Sequence, residues 1–206
     1  MTPLRFDSVR YRSLASLSFE MEPGETMVLT LSDPSLDRHI LPLITGLTPP
    51  DDGVITLFGV DTVDPAIASL RQQVGMLPSR AGLVSNLKGV ENVMLPLGYH
   101  RRMGRKDAYH RAIELLRETG YGDDPAALPA HLSPLDARRV SLARAIATGP
   151  DILIWKDAET GLALEERAEL VSLFCLSPSI PPRVSRLCIT HEPELFESFA
   201  DRVVYG

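Results

Sequence analysis

Hydrophobic and polar positions along the chain follow two periods. Leu17-Ser18-Phe19-Glu20-Met21 alternates residue by residue, as a half-buried strand does, and Thr26–Leu31 is a continuous β-rich run after the turn Glu22-Pro23-Gly24-Glu25. The period then lengthens: Leu36, Ile40, Leu43 and Leu47 form a helical stripe, with Asp33 as N-cap and Pro34 in the first position. Pro42 lies inside that stripe, so a kink or an early end is expected there. Strands are predicted at Val54–Gly59, Val74–Leu77, Asp151–Trp155, Arg186–Thr190 and Arg202–Tyr205. Helices are predicted near Ala66–Gln73, over much of Asn86–Tyr121 with a polar break at Arg101–Lys106, near Leu164–Phe174, and over Glu192–Ala200.

The sharpest local signal is Ala130–Ala147. Ser133 is a helix N-cap, Pro134 follows it, and Asp136 stands three residues after the cap, where a capping-box acid belongs. Val140, Leu142, Ala143, Ile146 and Ala147 then build an apolar face, Gly149-Pro150 stops the helix, and the Asp151–Trp155 run follows. Strands and helices alternating in this way imply an α/β fold with a mainly parallel sheet and helices on both faces.

With 206 residues, 44% of them apolar and 23% charged, the chain is expected to form one domain, 1–206, with a helical subdomain inserted at about 80–140. A net charge of −6 argues against nucleic acid as the main partner. No run of about 18 apolar residues and no signal-like N-terminus is read, so a cytoplasmic protein is expected. Cys175 and Cys188 lack metal or redox spacing, and His39, His100, His110 and His131 share no metal-like spacing; no metal is expected.

The capped helix, Gly-Pro break and buried strand resemble the signature-helix-to-Walker-B segment of ABC-transporter ATP-binding subunits. Pro23-Gly24-Glu25 before the P-loop strand, Gly46-Leu47 through Gly53 at the "GLxxPxxG" step, and Ile189-Thr190-His191-Glu192 at the histidine switch fall in the same order. Val90-Glu91-Asn92-Val93-Met94-Leu95-Pro96-Leu97 is similar to the "ENVxLPL" segment of the lipoprotein-releasing, macrolide-export and phospholipid-trafficking branches. The resemblance covers nearly the whole chain and implies a P-loop NTPase-like nucleotide-binding domain, with a mainly parallel sheet core, an antiparallel β part and a helical subdomain.

Position by position, the resemblance predicts altered phosphate chemistry. A P-loop, GxxxxGK followed by Ser or Thr, rings phosphate with backbone N–H groups and adds a Lys charge. The matching stretch here is Asp33-Pro34-Ser35-Leu36-Asp37-Arg38-His39, with no Gly or Lys between Leu31 and Thr45. Lys156 and Asp157 stand where the Walker B Asp and catalytic Glu would be, and Pro78 at the glutamine-loop position. Ser133-Pro134-Leu135-Asp136 replaces the signature glycines. His191 remains, and Tyr11 is a possible adenine-stacking aromatic. Asp37 and Lys156 carry the family's charges exchanged and are expected to pair.

These positions imply a catalytically degenerate pseudo-ATPase with no nucleotide cofactor, Asp157 and His191 being counterparts of catalytic residues without their function. It is expected on the inner face of the cell membrane, as a homodimer or a heterodimer with another ABC ATPase subunit. It would dock on a transmembrane permease through Pro78, Leu87, Val90 and Met94, in lipid or lipoprotein transport. Two alternatives stand beside it: a slow or rewired ATP-binding and hydrolysing subunit, and a soluble adaptor without a permease.

Overall fold

The structure is a computed structural model and describes all 206 residues. The chain forms two compact units, one of Met1–Gln72 with Arg183–Gly206 and one of Gln73–Pro182.

The first unit holds an antiparallel sheet and a parallel one. β1 (Leu4–Tyr11) lies between β2 (Leu14–Glu20) and β4 (Asp52–Leu57), and β5 (Val60–Asp61) pairs with β4. Leu4, Phe6, Val9 and Tyr11 of β1 point inward, and Phe6 stacks on Phe19 with ring centroids 4.6 Å apart, which fixes the β1–β2 register. In the parallel part β3 (Thr26–Thr30) is flanked by β8 (Ser185–Ile189) and β9 (Arg202–Tyr205). Thr26 to Leu29 of β3 are all buried, as continuous apolar strands of parallel sheets are.

From β3 the chain passes through a short 3₁₀ turn, Pro34–Leu36, into α1 (Asp37–Ile44). α1 ends two residues after Pro42, in line with an early break, and the Thr45 hydroxyl caps it by donating to the Leu41 carbonyl at 2.7 Å. The helix expected over Glu192–Ala200 is only a 3₁₀ turn, Pro193–Phe196. Asp201 explains the difference. Its N–H donates to the Thr26 carbonyl and its carboxylate accepts the Thr26 N–H, each at 2.8 Å, so the chain is drawn straight into β9.

The second unit is helical around a parallel pair, β6 (Val74–Pro78) and β7 (Ile152–Lys156), in register from Val74–Ile152 to Pro78–Lys156. Its helices are α3 (Gly89–Tyr99), α4 (Arg105–Glu118), α5 (Pro134–Ala147) and α6 (Leu164–Leu176); the four-residue α2 (Ile67–Leu70) precedes it in the first unit. α3 begins at Gly89 rather than Asn86. The N–H groups of Gly89 and Val90 donate to the carbonyls of Ala127 and Pro125, and the Glu91 carboxylate accepts the Lys88 N–H, so the helix start is set by a distant segment.

Every residue of β7 is buried. Trp155 packs edge-on against Phe174 of α6, centroids 5.4 Å apart, while its indole N–H donates to Glu159 at 2.6 Å. Gly75 lets α5 approach β6: a Cβ there would stand 2.6 Å from Leu153 and 2.8 Å from the Ala145 carbonyl.

Candidate functional site

In the first unit the stretch between β3 and α1 is organised by acids that bond internally. Asp33 accepts the Ser35 N–H at 2.8 Å and also the Ser13 hydroxyl. The Ser13 hydroxyl first, then the Ser35 N–H, holds its carboxyl below the usual carboxylate range. Pro34 opens the 3₁₀ turn, Ser35 is exposed and Leu36 is buried. The Asp37 carboxylate, on the first turn of α1, meets His191 Nε2 at 3.0 and 3.1 Å across 154 residues of sequence.

Next to them lies a row of rings and guanidiniums. Arg38 Nε donates to His39 Nε2 at 3.1 Å, so Nε2 is unprotonated, and the remaining proton on Nδ1 faces the Tyr11 hydroxyl at 3.4 Å. The Tyr11 and His39 rings are tilted with centroids 5.5 Å apart, and the Arg12 guanidinium lies 5.4 Å from the Tyr11 centroid. Burial first, and then the charges of Arg12 and Arg38, push His39 below the ordinary histidine range. Tyr11 itself is only 6% exposed, so its ring is a core side chain with Arg12 above it and not an open stacking face.

In the second unit Lys156, at the end of β7, is 6% exposed and pairs with Asp157. Asp157 takes a left-handed φ of 47°, an unusual backbone for a non-glycine residue. Asp37 and Lys156 thus each have a partner in their own unit.

Pro78 ends β6 and leads into a loop in which Ala81 (φ 57°) and Gly82 (φ 59°) are both left-handed. α5 holds that loop. The Ser141 hydroxyl donates to the Ala81 carbonyl at 2.6 Å, and Arg144 donates to the Gly82 and Ala81 carbonyls at 2.7 and 3.1 Å. Ser133 caps α5 by accepting the Asp136 N–H at 3.1 Å, and Asp136 binds Arg139 at 2.8 Å. Leu135 is buried. The predicted cap is therefore realised, and its polar atoms are engaged within the helix.

Leu87, Val90 and Met94 line one groove of about 990 Å³, with Leu95 and Tyr109 also on its wall; Pro78 does not line it. The same helix, α3, carries a residue that pattern reading passed over. Asn92 is fully buried and makes four hydrogen bonds to the segment Val84–Lys88. A polar residue on the inward stripe of α3, between Val90 and Val93, was the available signal.

A sequence model of the family described as "ABC transporter" matches residues 14–159, most of the chain and parts of both units. The chain belongs to the ABC transporter family. It is similar to the methionine import ATP-binding protein MetN 1 of Pseudomonas syringae pv. syringae (strain B728a), 32% identical over 93% of this chain and 58% of that protein. MetN of Corynebacterium glutamicum is 29% identical over 95% of this chain and 55% of its own length. The chain thus spans little more than half the length of these curated relatives.

Among solved structures, the dimeric bacterial ABC transporter cassette MJ0796 superposes with a TM-score of 0.84 at 22% identity, covering 98% of this chain and 93% of that one. The protein cbiO1 of Clostridium perfringens gives 0.83 at 18% identity, covering 99% and 84%. The ABC nucleotide-binding fold expected from the element order is therefore present.

Three expectations are overturned by the same findings. A pseudo-ATPase without enzymatic function and a subunit needing no nucleotide both conflict with relatives named as ATP-binding proteins. Assignment to the lipoprotein, macrolide and lipid-trafficking branch conflicts with their naming for methionine import. Side chains missing from one stretch do not by themselves abolish nucleotide binding, since backbone N–H groups and other parts of a fold also meet phosphate.

Proposed function

We propose that this chain is an ATP-binding subunit of an ABC-type importer, slow or rewired in its handling of nucleotide. The observation that carries the reading is the family match over residues 14–159, joined to relatives named ATP-binding that align over most of this chain. By the same likeness the transported molecule is methionine or a related small amino acid.

The subunit works at the inner face of the membrane, against a permease carried by another chain, and pairs with a second nucleotide-binding subunit, identical or different. No helix of this chain is long and apolar enough to cross a membrane. The groove lined by Leu87, Val90 and Met94 takes the permease: its wall joins these apolar side chains to Lys88, Arg105 and Lys106 and to the acids Glu91 and Asp124, suited to a short apolar segment with flanks of both charges. The loop after Pro78 is held apart from that groove's lining, by Ser141 and Arg144.

Calorimetric titration of the purified protein with ATP, with and without magnesium, tests the reading, alongside a phosphate-release assay. Binding in the micromolar to low millimolar range with slow release is expected; no heat with ATP at several millimolar overturns it.

A further inference from the structure

The corner between α3 and α4 holds the densest cationic stretch of the chain. Arg101-Arg102-Met103-Gly104-Arg105-Lys106 places four cations within six residues and no acid among them, in a chain of net charge −6. All four belong to exposed residues. Arg101 is tethered: its Nε donates to the Thr148 carbonyl at 3.0 Å, at the C-terminus of α5. Arg102, Arg105 and Lys106 make no side-chain hydrogen bond and no ion pair, whereas Arg111, Arg139 and Lys156 of the same unit pair with Glu114, Asp136 and Asp157. Arg80, Lys88 and Arg117 also lack an ion pair, but each stands alone, with no other cation within five residues.

Local structure gives these charges no use of its own. Arg102 has φ 50°, a left-handed backbone that glycine adopts at least cost. Arg105 and Lys106 are the first two residues of α4, at the positive end of its dipole, where a cation is unfavourable. Asp107 is the one acid of that turn and pairs with neither. The corner is nonetheless ordered: the Met103 N–H donates to the Leu97 carbonyl at 3.1 Å and the Ala108 N–H to the Gly104 carbonyl at 2.8 Å. Tyr99, the last residue of α3, is 82% exposed, and Tyr109 is exposed on α4. Amphipathic rings on either side of a cationic stretch suit a membrane–water interface.

We propose that Tyr99 and the Arg102–Lys106 corner rest on the anionic headgroups of the bilayer beside the permease. The proposal rests on the reading above that the subunit works at the membrane against a permease. Arg105 and Lys106 also line the groove assigned to that permease, so corner and groove share one side of the unit. Each cation near an anionic surface strengthens binding roughly fivefold. The rest of the chain is acidic, so a long polyanion such as nucleic acid is repelled as it runs past the corner. A bilayer meets the corner first, and acids more than a Debye length from its plane are screened. Glu91 and Asp124 on the groove wall disfavour a wholly acidic permease segment as the occupant.

The test is flotation of the intact protein with vesicles of phosphatidylcholine alone or mixed with phosphatidylglycerol, at low and high sodium chloride. It compares wild type, Tyr99→Ser, the corner triple variant (Arg102→Ser, Arg105→Ser, Lys106→Ser) and a scattered triple variant of the same net charge (Arg80→Ser, Arg117→Ser, Arg183→Ser). Wild type should bind the anionic vesicles and not the neutral ones, and salt should weaken it. The corner variant should lose at least tenfold and Tyr99→Ser at least twofold, with the scattered variant within twofold of wild type. The corner variant's melting temperature should not fall, because its three side chains make no bond within the protein. No binding of wild type to anionic vesicles, equal binding to neutral ones, or equal loss in the two triple variants overturns the proposal, while permease co-purification leaves the membrane reading standing. If the corner variant keeps vesicle binding but loses the permease, the cations serve the permease and the proposal falls. If wild type binds anionic vesicles through the corner yet recovers no permease, the headgroup contact stands and the permease reading falls.

Discussion

Replacing Asn92 by alanine should cost the second unit about 3 kcal/mol. Its Oδ1 accepts the Val84 N–H at 2.7 Å, and its Nδ2 donates to the carbonyls of Val84, Leu87 and Lys88 at 3.2, 3.1 and 3.1 Å. Two N–H hydrogens serve three carbonyls, so one bond is shared and the amide amounts to three full hydrogen bonds. At about 1 kcal/mol net for each, the loss sums to roughly 3 kcal/mol. Water limits any further penalty, because Val84 and Lys88 are exposed and their freed groups can be hydrated. Aspartate should be worse than alanine, since it places a second acceptor, and a buried charge, against three carbonyl oxygens.

The assay is urea unfolding followed by the fluorescence of Trp155, the chain's one tryptophan, buried in this unit beside Phe174. With a slope of about 2 kcal/mol per molar, a 3 kcal/mol loss lowers the midpoint by about 1.5 M. A midpoint for Asn92→Ala within about 0.3 M of wild type at an unchanged slope would refute the reasoning. The Val84–Lys88 segment would then be held by something other than this amide.

Other outcomes are as direct. Gly46, at φ 65° just after α1, faces the Thr62 carbonyl, and a Cβ there would sit 2.2 Å from that oxygen; Gly46→Ala should destabilise by about 2–4 kcal/mol in thermal unfolding, whereas a change under 0.5 kcal/mol would mean this end of α1 shifts freely. The His39 ring should titrate below 6.5 by NMR and move upward in Arg12→Gly or Arg38→Ala; no movement in either variant would show that the two guanidiniums do not act on it. Since its folded-state value is lowered, the unfolded chain binds the proton first, so this group's contribution to stability is full above about pH 6.5 and is lost as pH falls toward the folded value. Met94→Glu, on the groove wall, should cut permease co-purification at least tenfold without lowering the melting temperature, and undiminished recovery would remove the groove from the docking reading.

How legible each part was depended on how far apart its interacting atoms lie in sequence. The start of α5 could be read, because its cap, proline and acid lie within four residues and the structure closes that cap as Ser133 to Asp136; the burial of Arg138 on the same helix could not, because the Ala158 carbonyl that it bonds lies 20 residues away. β3 and β7 were legible as continuous apolar runs, and Pro42 foretold the short α1. The start of α3 and the absence of a helix after Glu192 were not legible, because carbonyls of Pro125 and Ala127 decide the first and the Thr26–Asp201 pair decides the second.

Composition and periodicity, then, are local quantities, and they were enough for the alternating α/β architecture and for the ABC resemblance that the family match upholds. The placement of charge is not local. Asp37 facing His191 and the Tyr11 hydroxyl facing His39 follow from chain crossings that bring distant side chains within a few ångströms, whereas Lys156 turns to its own neighbour Asp157. At such separations Coulomb and hydrogen-bond energies depend on the partner's position and burial, not on its distance along the chain. For that reason substitutions along the P-loop stretch could be counted from the residues, while the His191 ring that meets Asp37 came into view only in three dimensions.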